Sequence, residues 1–251
     1  MDREEELFLK RIKELAYQSE TRGYATLTDF LNLNELNLFF SHLKELPHIQ
    51  YKLWGGYENA DRRRLCFYQM DDVPLGEFHI SIVKISPNNA KFADTLTHRD
   101  FLGALVNLGI NRGKLGDILI KDNIGYLFVE ETISSYIIDS LNKIKHTYVT
   151  CTPTYLHAID ITPSFQEVKG TISSARLDAI LALALNSSRS SITGLISSGK
   201  VFINSRLVTH NSTVLKENDI ISVRGHGKYV YCGISNQTKK GRYCATILRY
   251  I

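Results

Sequence analysis

Hydrophobic positions along the chain change period several times, and each change marks an element. Near the N-terminus Phe8, Ile12, Leu15 and Ala16 share one face at helical spacing, which predicts a helix from residue 2 to about 17. Asp2 is placed to cap it, and Glu4, Glu5 and Glu6 suit the positive end of its dipole. A second helix is expected over 34–46, stopping before Pro47. The stretch IQYKLWGGYENADRRRLCFYQM then reads as two strands around a turn region containing Gly-Gly, Asn and Asp.

The pattern over 77–151 is more regular. FHISIVKI alternates as a strand does, and THRDFLGALVNLG places Phe101, Leu102, Leu105 and Leu108 at helical spacing. Thr97 is the expected cap of that helix and Gly109 its stop. DILIKD and IGYLFVE are short strands joined at Asp122-Asn123, TISSYIIDSLNKI is a second helix, and HTYVTC closes the set. This β-α-β-β-α-β order is that of the ferredoxin-like split βαβ arrangement, which many RNA-binding sheets and many enzymes share. The sheet lacks the aromatic-rich RNP signature of sequence-reading RNA domains.

Residues 153–173, with Pro153 and Pro163, read as an extended connector with strand character in FQEVKGTIS. Beyond it Leu177, Ile180, Leu181, Ala184 and Leu185 form one buried stripe, and Ile192, Leu195 and Ile196 another. Ser187 or Ser188 caps the second helix and Gly199 stops it. KVFIN follows with Val201 and Ile203 inward, then a turn at NSR, a loop closed by Val214-Leu215, and the strand NDIISVRG. The expected fold class is α+β in three small domains. These are N-terminal helices with a β-hairpin (1–76), a ferredoxin-like domain (77–152), and, after the connector, a helical pair on a small sheet with a C-terminal β extension (174–251).

Charge changes this picture more than composition does. The chain has 251 residues, 43% hydrophobic and 22% charged, with a net charge of +4. Residues 1–170 hold 19 Lys/Arg and 23 Asp/Glu, whereas 171–251 hold 11 Lys/Arg against Asp178, Glu217 and Asp219. A segment of +8 beside one of −4 is the mark of a polyanion-binding module joined to a near-neutral remainder. Its cations fall outside the apolar stripes: Arg176 before the first, Arg189 in the first turn of the second helix, Lys200 after its stop, Arg206 in a turn, Arg224 and Lys228 at a strand end. Ser190 and the free N–H groups of that first turn suit phosphate.

No apolar run reaches the length of a membrane span, and the N-terminus lacks the basic flank and apolar stretch of a signal peptide, so a cytoplasmic protein is expected. Cys66, Cys151, Cys232 and Cys244 lie far apart with no C-x-x-C pair, so reduced thiols are expected and neither zinc nor a disulfide framework. His98-Arg99-Asp100 matches the opening of a kinase catalytic loop, but Leu105 stands where that loop needs Asn, and no phosphate loop or Asp-Phe-Gly accompanies it. GHGKYV lacks the third glycine of a dinucleotide fingerprint and reads as a turn between strands. No nucleophile, base and oxyanion donor assemble in the sequence, so no enzyme activity and no cofactor are expected.

RLD at Arg176, SRS at Arg189, IxxGKVxIN ending at Asn204, and NDIISVRG ending at Gly225 resemble the S4 RNA-binding domain in four ordered blocks over 174–231. The resemblance implies binding of structured RNA by Arg176, Arg189, Ser190, Lys200, Asn204, Arg206, Arg224 and Lys228. Gly194 inside the second helix and Ser197-Ser198 depart from the pattern. The catalytic signatures of S4-linked pseudouridine synthases, tyrosyl-tRNA synthetases and methyltransferases are missing. GGYENADRRR, THRDFLGALVNLGINRGKLGDILI, SSARLD and TKKGRY instead resemble the YlmH-type proteins, over most of the chain.

That resemblance implies a non-enzymatic factor on the large ribosomal subunit, with 23S rRNA and peptidyl-tRNA as partners, serving the rescue of stalled ribosomes. A monomer away from membranes is expected. Further basic residues that could reach RNA are Arg62, Arg63 and Arg64, His98 and Arg99, Arg112 and Lys114, and Lys239, Lys240 and Arg242. The triple-arginine run is more usually a solvated face, here balanced by Glu58 and Asp61, whereas for the Lys239-Lys240 turn a solubilising hairpin end stays equally open. Two other function classes stay open as well: an RNA-modifying enzyme with its site in 77–151, and a cell-division scaffold.

Overall fold

The computed structural model describes residues 3–69, 71–159, 164–238 and 241–250. The chain forms two compact units, 1–160 and 161–251.

The first unit begins with α1 (Arg3–Arg22), longer than its apolar stripe predicts, and β1 (Thr26–Leu31). α2 (Leu33–Ser41) follows, capped by Asn32 and Glu35 in a reciprocal box, and then a 3-10 turn (Leu43–Glu45). The cap expected at Asp2 lies outside the described residues. β2 (Gln50–Trp54) and β3 (Arg63–Tyr68) form the expected hairpin, but β1 adds a third strand, in the order β1-β3-β2. Ile12, Leu15 and Ala16 of α1 and Leu36 and Phe39 of α2 pack on Leu31, Leu65 and Phe67. The Ser19 hydroxyl donates to Phe67 O and that of Thr26 to Leu15 O, so these two buried hydroxyls are satisfied.

The same unit continues with β4 (Ile80–Pro87), α3 (His98–Asn107), β5 (Leu115–Lys121), β6 (Ile124–Glu130), α4 (Glu131–Ser140), the two-residue β7 (Lys143–Ile144) and β8 (Thr147–Thr154). All pairings are antiparallel, in the order β5-β6-β4-β8-β7. With β7 set aside, this is the ferredoxin-like order. Asp122 and Asn123 both have positive φ, 51° and 62°, as a tight two-residue hairpin turn requires. Both helices cover one sheet face, burying Phe101, Leu105 and Ile137 against Val83, Ile85, Leu127 and Val129.

The second unit holds β9 (Phe165–Ile172), α5 (Leu177–Ala184), α6 (Arg189–Ser197), β10 (Val201–Ile203), β11 (Arg206–Leu207), β12 (Ile220–Val223), β13 (Gly227–Gln237) and β14 (Tyr243–Tyr250). They make one six-stranded antiparallel sheet, ordered β11-β10-β12-β13-β14-β9. The expected connector 153–173 is therefore divided. Residues 153–154 end β8, while 165–172 pair with β14 along their whole length, from Phe165↔Tyr250 to Ile172↔Tyr243. The physical reason is the long edge of β14, which would otherwise present unpaired backbone groups. Gly170 lets Leu183 of α5 sit on this strand, since a Cβ there would lie 2.3 Å from Leu183 Cδ1. Leu177, Ile180, Leu181, Ile192 and Ile196 of the helical pair are buried against Val201, Ile221, Tyr229 and Ile247 of the sheet.

Candidate RNA interface

α5 and α6 meet at 114°, an angle within the helix-turn-helix range. Ser188 caps α6, its hydroxyl accepting from Ser191 N at 3.3 Å and lying 2.9 Å from the Ser190 hydroxyl. Gly199, at φ 70°, ends the helix in the left-handed conformation. Arg189 and Ser190 are exposed in its first turn, and Arg189 Nη2 donates to Ser173 Oγ at 3.2 Å. That contact ties the start of α6 to the link between β9 and α5, three residues before Arg176. The Arg176 guanidinium is already gripped by Asp178, at 3.1 and 3.3 Å, so only its outer edge is left for a ligand.

A second group forms at the other end of α6. Lys200 O accepts from Arg224 N at 2.9 Å, which sets these two exposed residues side by side at one end of the β10–β12 pair. The Arg224 guanidinium lies 5.2 Å from the Phe202 ring centre, and the Lys228 ammonium 5.3 Å from that of Tyr250. Phe202 is fully buried, so β10 turns Phe202 as well as Val201 out of water. Arg189 and Lys200 thus stand at opposite ends of a nine-residue helix, roughly 13 Å long. The cations therefore lie at the two ends of α6, not at a single point.

Arg206 is exposed at the far end of β10, opposite Ile203. Asn204 is exposed, but its amide is engaged in its own turn. With φ 49°, Asn204 donates from Nδ2 to Asp219 and accepts through Oδ1 from Ile220 N, so both ends of its amide are occupied. Arg242 is exposed in the β13–β14 hairpin, where its N–H donates to Thr238 Oγ1. Lys239 and Lys240 lie outside the described residues. His226, exposed in the Gly-rich turn beside Arg224, escaped the sequence reading; its only signal was position next to that arginine.

The basic residues of the first unit divide more sharply. Arg64 is 6% exposed, and its guanidinium donates to Thr28 O, Phe78 O and His79 O. Arg62 donates to Leu115 O, Phe30 O and Arg112 O. Arg112 in turn donates to Leu115 O and Gly116 O, and Lys114 pairs with Asp29 and Glu130. Arg62, Arg64, Arg112 and Lys114 are therefore corrected from possible RNA contacts to internal braces. Their charge is used to satisfy backbone carbonyls and carboxylates that folding removes from water. Burial lowers the pKa of Arg62, Arg63 and Arg64, and that of Arg112 to about 10, where Arg62 adds repulsion. Arg63 is half-buried, whereas His98 and Arg99 are exposed at the start of α3. Although part of the His98 surface is open, desolvation of its ring and then the Arg112 charge lower its pKa, and Asp117 opposes them. Asp100 accepts from the Thr97 N–H and hydroxyl and pairs with Lys145, which together hold its carboxyl at about 2. That is a helix cap and an ion pair, with no catalytic arrangement.

At the centre of these braces sits Asp117, whose carboxylate accepts from Tyr57 Oη, Asp61 N and Arg62 N at 2.8, 2.7 and 3.1 Å. Burial raises its pKa, Asp61 adds to the rise, and the three hydrogen bonds oppose it. Gly56 (φ 101°) and Gly116 allow this close approach, since a Cβ on either would collide with a ring, Phe128 for Gly56 and Phe30 for Gly116. GGYENADRRR and NRGKLGD thus meet in one seam that locks the three-stranded sheet to the ferredoxin-like sheet. Among the described residues, no group of three or more His, Cys, Asp or Glu could hold a metal ion.

Three family models match this chain in order: "YlmH, N-terminal" over 4–71, "Putative RNA-binding domain in YlmH" over 75–158, and "S4 domain" over 175–221. A protein of Bacillus subtilis (strain 168), named Ribosome-associated protein quality control protein P2, is 28% identical over 244 residues, or 96% of this chain and 91% of that one. The solved structure titled Cell division protein ylmH from Streptococcus pneumoniae has a TM-score of 0.51 at 24% identity, covering 63% of this chain and 95% of that one, and is similar in fold. With both YlmH domains followed by an S4 domain, this chain belongs to the YlmH family of RNA-binding proteins.

Proposed function

We propose that this protein is a non-enzymatic, ribosome-associated factor that binds ribosomal RNA of the large subunit and contacts peptidyl-tRNA in the rescue of stalled ribosomes. It acts in the cytoplasm as a monomer without a cofactor. Residues 1–76 and 77–152 serve as a braced body, and 174–251, with β9 added, as the main RNA-binding module. The observation that carries this reading is the placing of exposed cations at the two ends of α6, Arg189 in its first turn and Lys200 beside Arg224 after its stop, in a segment of net +8. The name of the Bacillus subtilis relative supports the ribosomal setting. Affinity comes from counterion release and selectivity from RNA shape.

Co-sedimentation with 50S subunits tests this. Arg189→Glu combined with Lys200→Glu reverses the charge of an exposed position at both ends of α6 and should abolish co-sedimentation while thermal unfolding stays unchanged. A double variant that sediments with 50S as the parent does overturns the proposed interface. Association with division proteins that survives RNase would replace the ribosomal reading with a scaffold.

A further inference from the structure

Tyr126 and Phe128 alternate on β6, and both face away from α3 and α4, since Leu127 and Val129 fill the helix side. Phe128 is already covered. The Tyr57 ring lies 4.9 Å from it, and Gly56 packs against its edge. Tyr126, about 7 Å further along the strand, is half-exposed. Its cross-strand neighbours are Lys84 and Leu119, and Thr152 stands beyond Lys84. Exposed Lys121 ends β5 on the same face, and at the opposite corner the Lys143 ammonium lies 5.1 Å from the ring centre of Tyr148, itself 62% exposed. The strand carboxylates near this face, Glu130 and Asp117, both lie at the covered end, held by Lys114 and by Tyr57 respectively. The open half therefore offers lysines, tyrosines and threonines, and no strand residue there is acidic among the described residues.

We propose that this open half is a second RNA site, which takes a single-stranded segment. A base stacks on Tyr126, another two or three nucleotides away stacks on Tyr148, and Lys84, Lys121 and Lys143 meet the phosphates between. Strand rise and spacing put the two tyrosines roughly 16 Å apart, within reach of such a segment. Aromatic rings beside cations are the usual means of holding single strands, because every base has a π-face. The N-terminal sheet fixes the length of the site by occupying the Phe128 position with Tyr57, so the platform is half that of an uncovered sheet. The proposal rests on the reading of the chain as an RNA-binding factor, but names a different surface from α6.

The full chain is titrated with a fluorescent, unstructured 12-nucleotide RNA and, separately, with a structured hairpin. Tyr126→Ala should weaken the 12-mer about 5- to 100-fold, Tyr126→Phe should keep parental affinity, and Lys84→Glu with Lys121→Glu should weaken it further. Hairpin binding should stay within twofold in all three. A 12-mer that binds every variant as it binds the parent, or that fails to bind the parent, overturns this site and leaves 50S co-sedimentation unaffected. Photocrosslinking of a 4-thiouridine 12-mer to the parent protein needs no variant. Adducts on peptides carrying Tyr126 or Tyr148 support the site, and adducts confined to 174–251 overturn it.

Discussion

Arg64 and Arg189 carry the same formal charge, but only one of them is available to a partner. Arg64 spends its fork on Thr28 O, Phe78 O and His79 O inside the first unit, whereas Arg189 holds a single serine hydroxyl at the surface. Removing Arg64 strands buried carbonyls, each expensive to leave unmade. Arg64→Ala should therefore lower stability by on the order of 3 kcal/mol, read as a shift in the urea midpoint. Arg64→Lys should recover little of it, because an ammonium cannot reproduce the fork. RNA affinity of whatever remains folded should match the parent. Normal stability with weakened RNA binding would return Arg64 to the list of contacts. The sequence did not separate the two arginines, because a run of three can be a solvated face or a phosphate patch, and nothing local marks a brace. What separates them is the carbonyl set that surrounds Arg64, and that set comes from two distant segments, Thr28 and Phe78-His79.

Elements were more legible where a local rule decided them. The Asp122-Asn123 turn, the Thr97–Asp100 helix start and the stop at Gly199 follow from residues within a few positions of each other. β1 was not readable in this way. β1 is short, carries a bulge between Leu27 and Phe30, and exists because β3 offers it an edge. The strand character of FQEVKGTIS was legible and is β9, but its partner was not, because β14 lies about eighty residues later. α6 shows the reverse case, a local rule broken with no visible compensation. Gly194 sits mid-helix, and a Cβ added there meets nothing within 4 Å. Gly194→Ala should therefore stabilise the second unit by about 1 kcal/mol, seen as a higher midpoint in thermal or urea unfolding. An unchanged or lowered midpoint would mean that the added methyl is crowded or strained within the free protein, against the open space seen at this position.

At the scale of the whole molecule, the −4 and +8 segments of the sequence correspond closely to the two compact units, with β9 shifted into the second. The family motifs of the first unit turned out to build its internal seam, so its resemblance to relatives reports architecture. Exposed cations of this unit lie elsewhere, including at the start of α3 and on the half-open sheet face. The surface position of the second unit's cations was legible because they fall outside the apolar stripes, at the ends of elements. This division can be tested by salt. If phosphate contacts dominate, log K for a structured RNA falls linearly with log salt, and each lost contact lowers the slope by about 0.9. Lys200→Gln and Arg224→Gln should each reduce the slope by about one contact, and together by about two, because each lies at the exposed end of the β10–β12 pair. Lys114→Gln should leave the slope as it is, since its ammonium is held between Asp29 and Glu130. Equal slopes for the parent and the Lys200, Arg224 double variant would place the electrostatic contact elsewhere on the chain. A reduced slope for Lys114→Gln would mean that the seam opens on RNA to release its lysine.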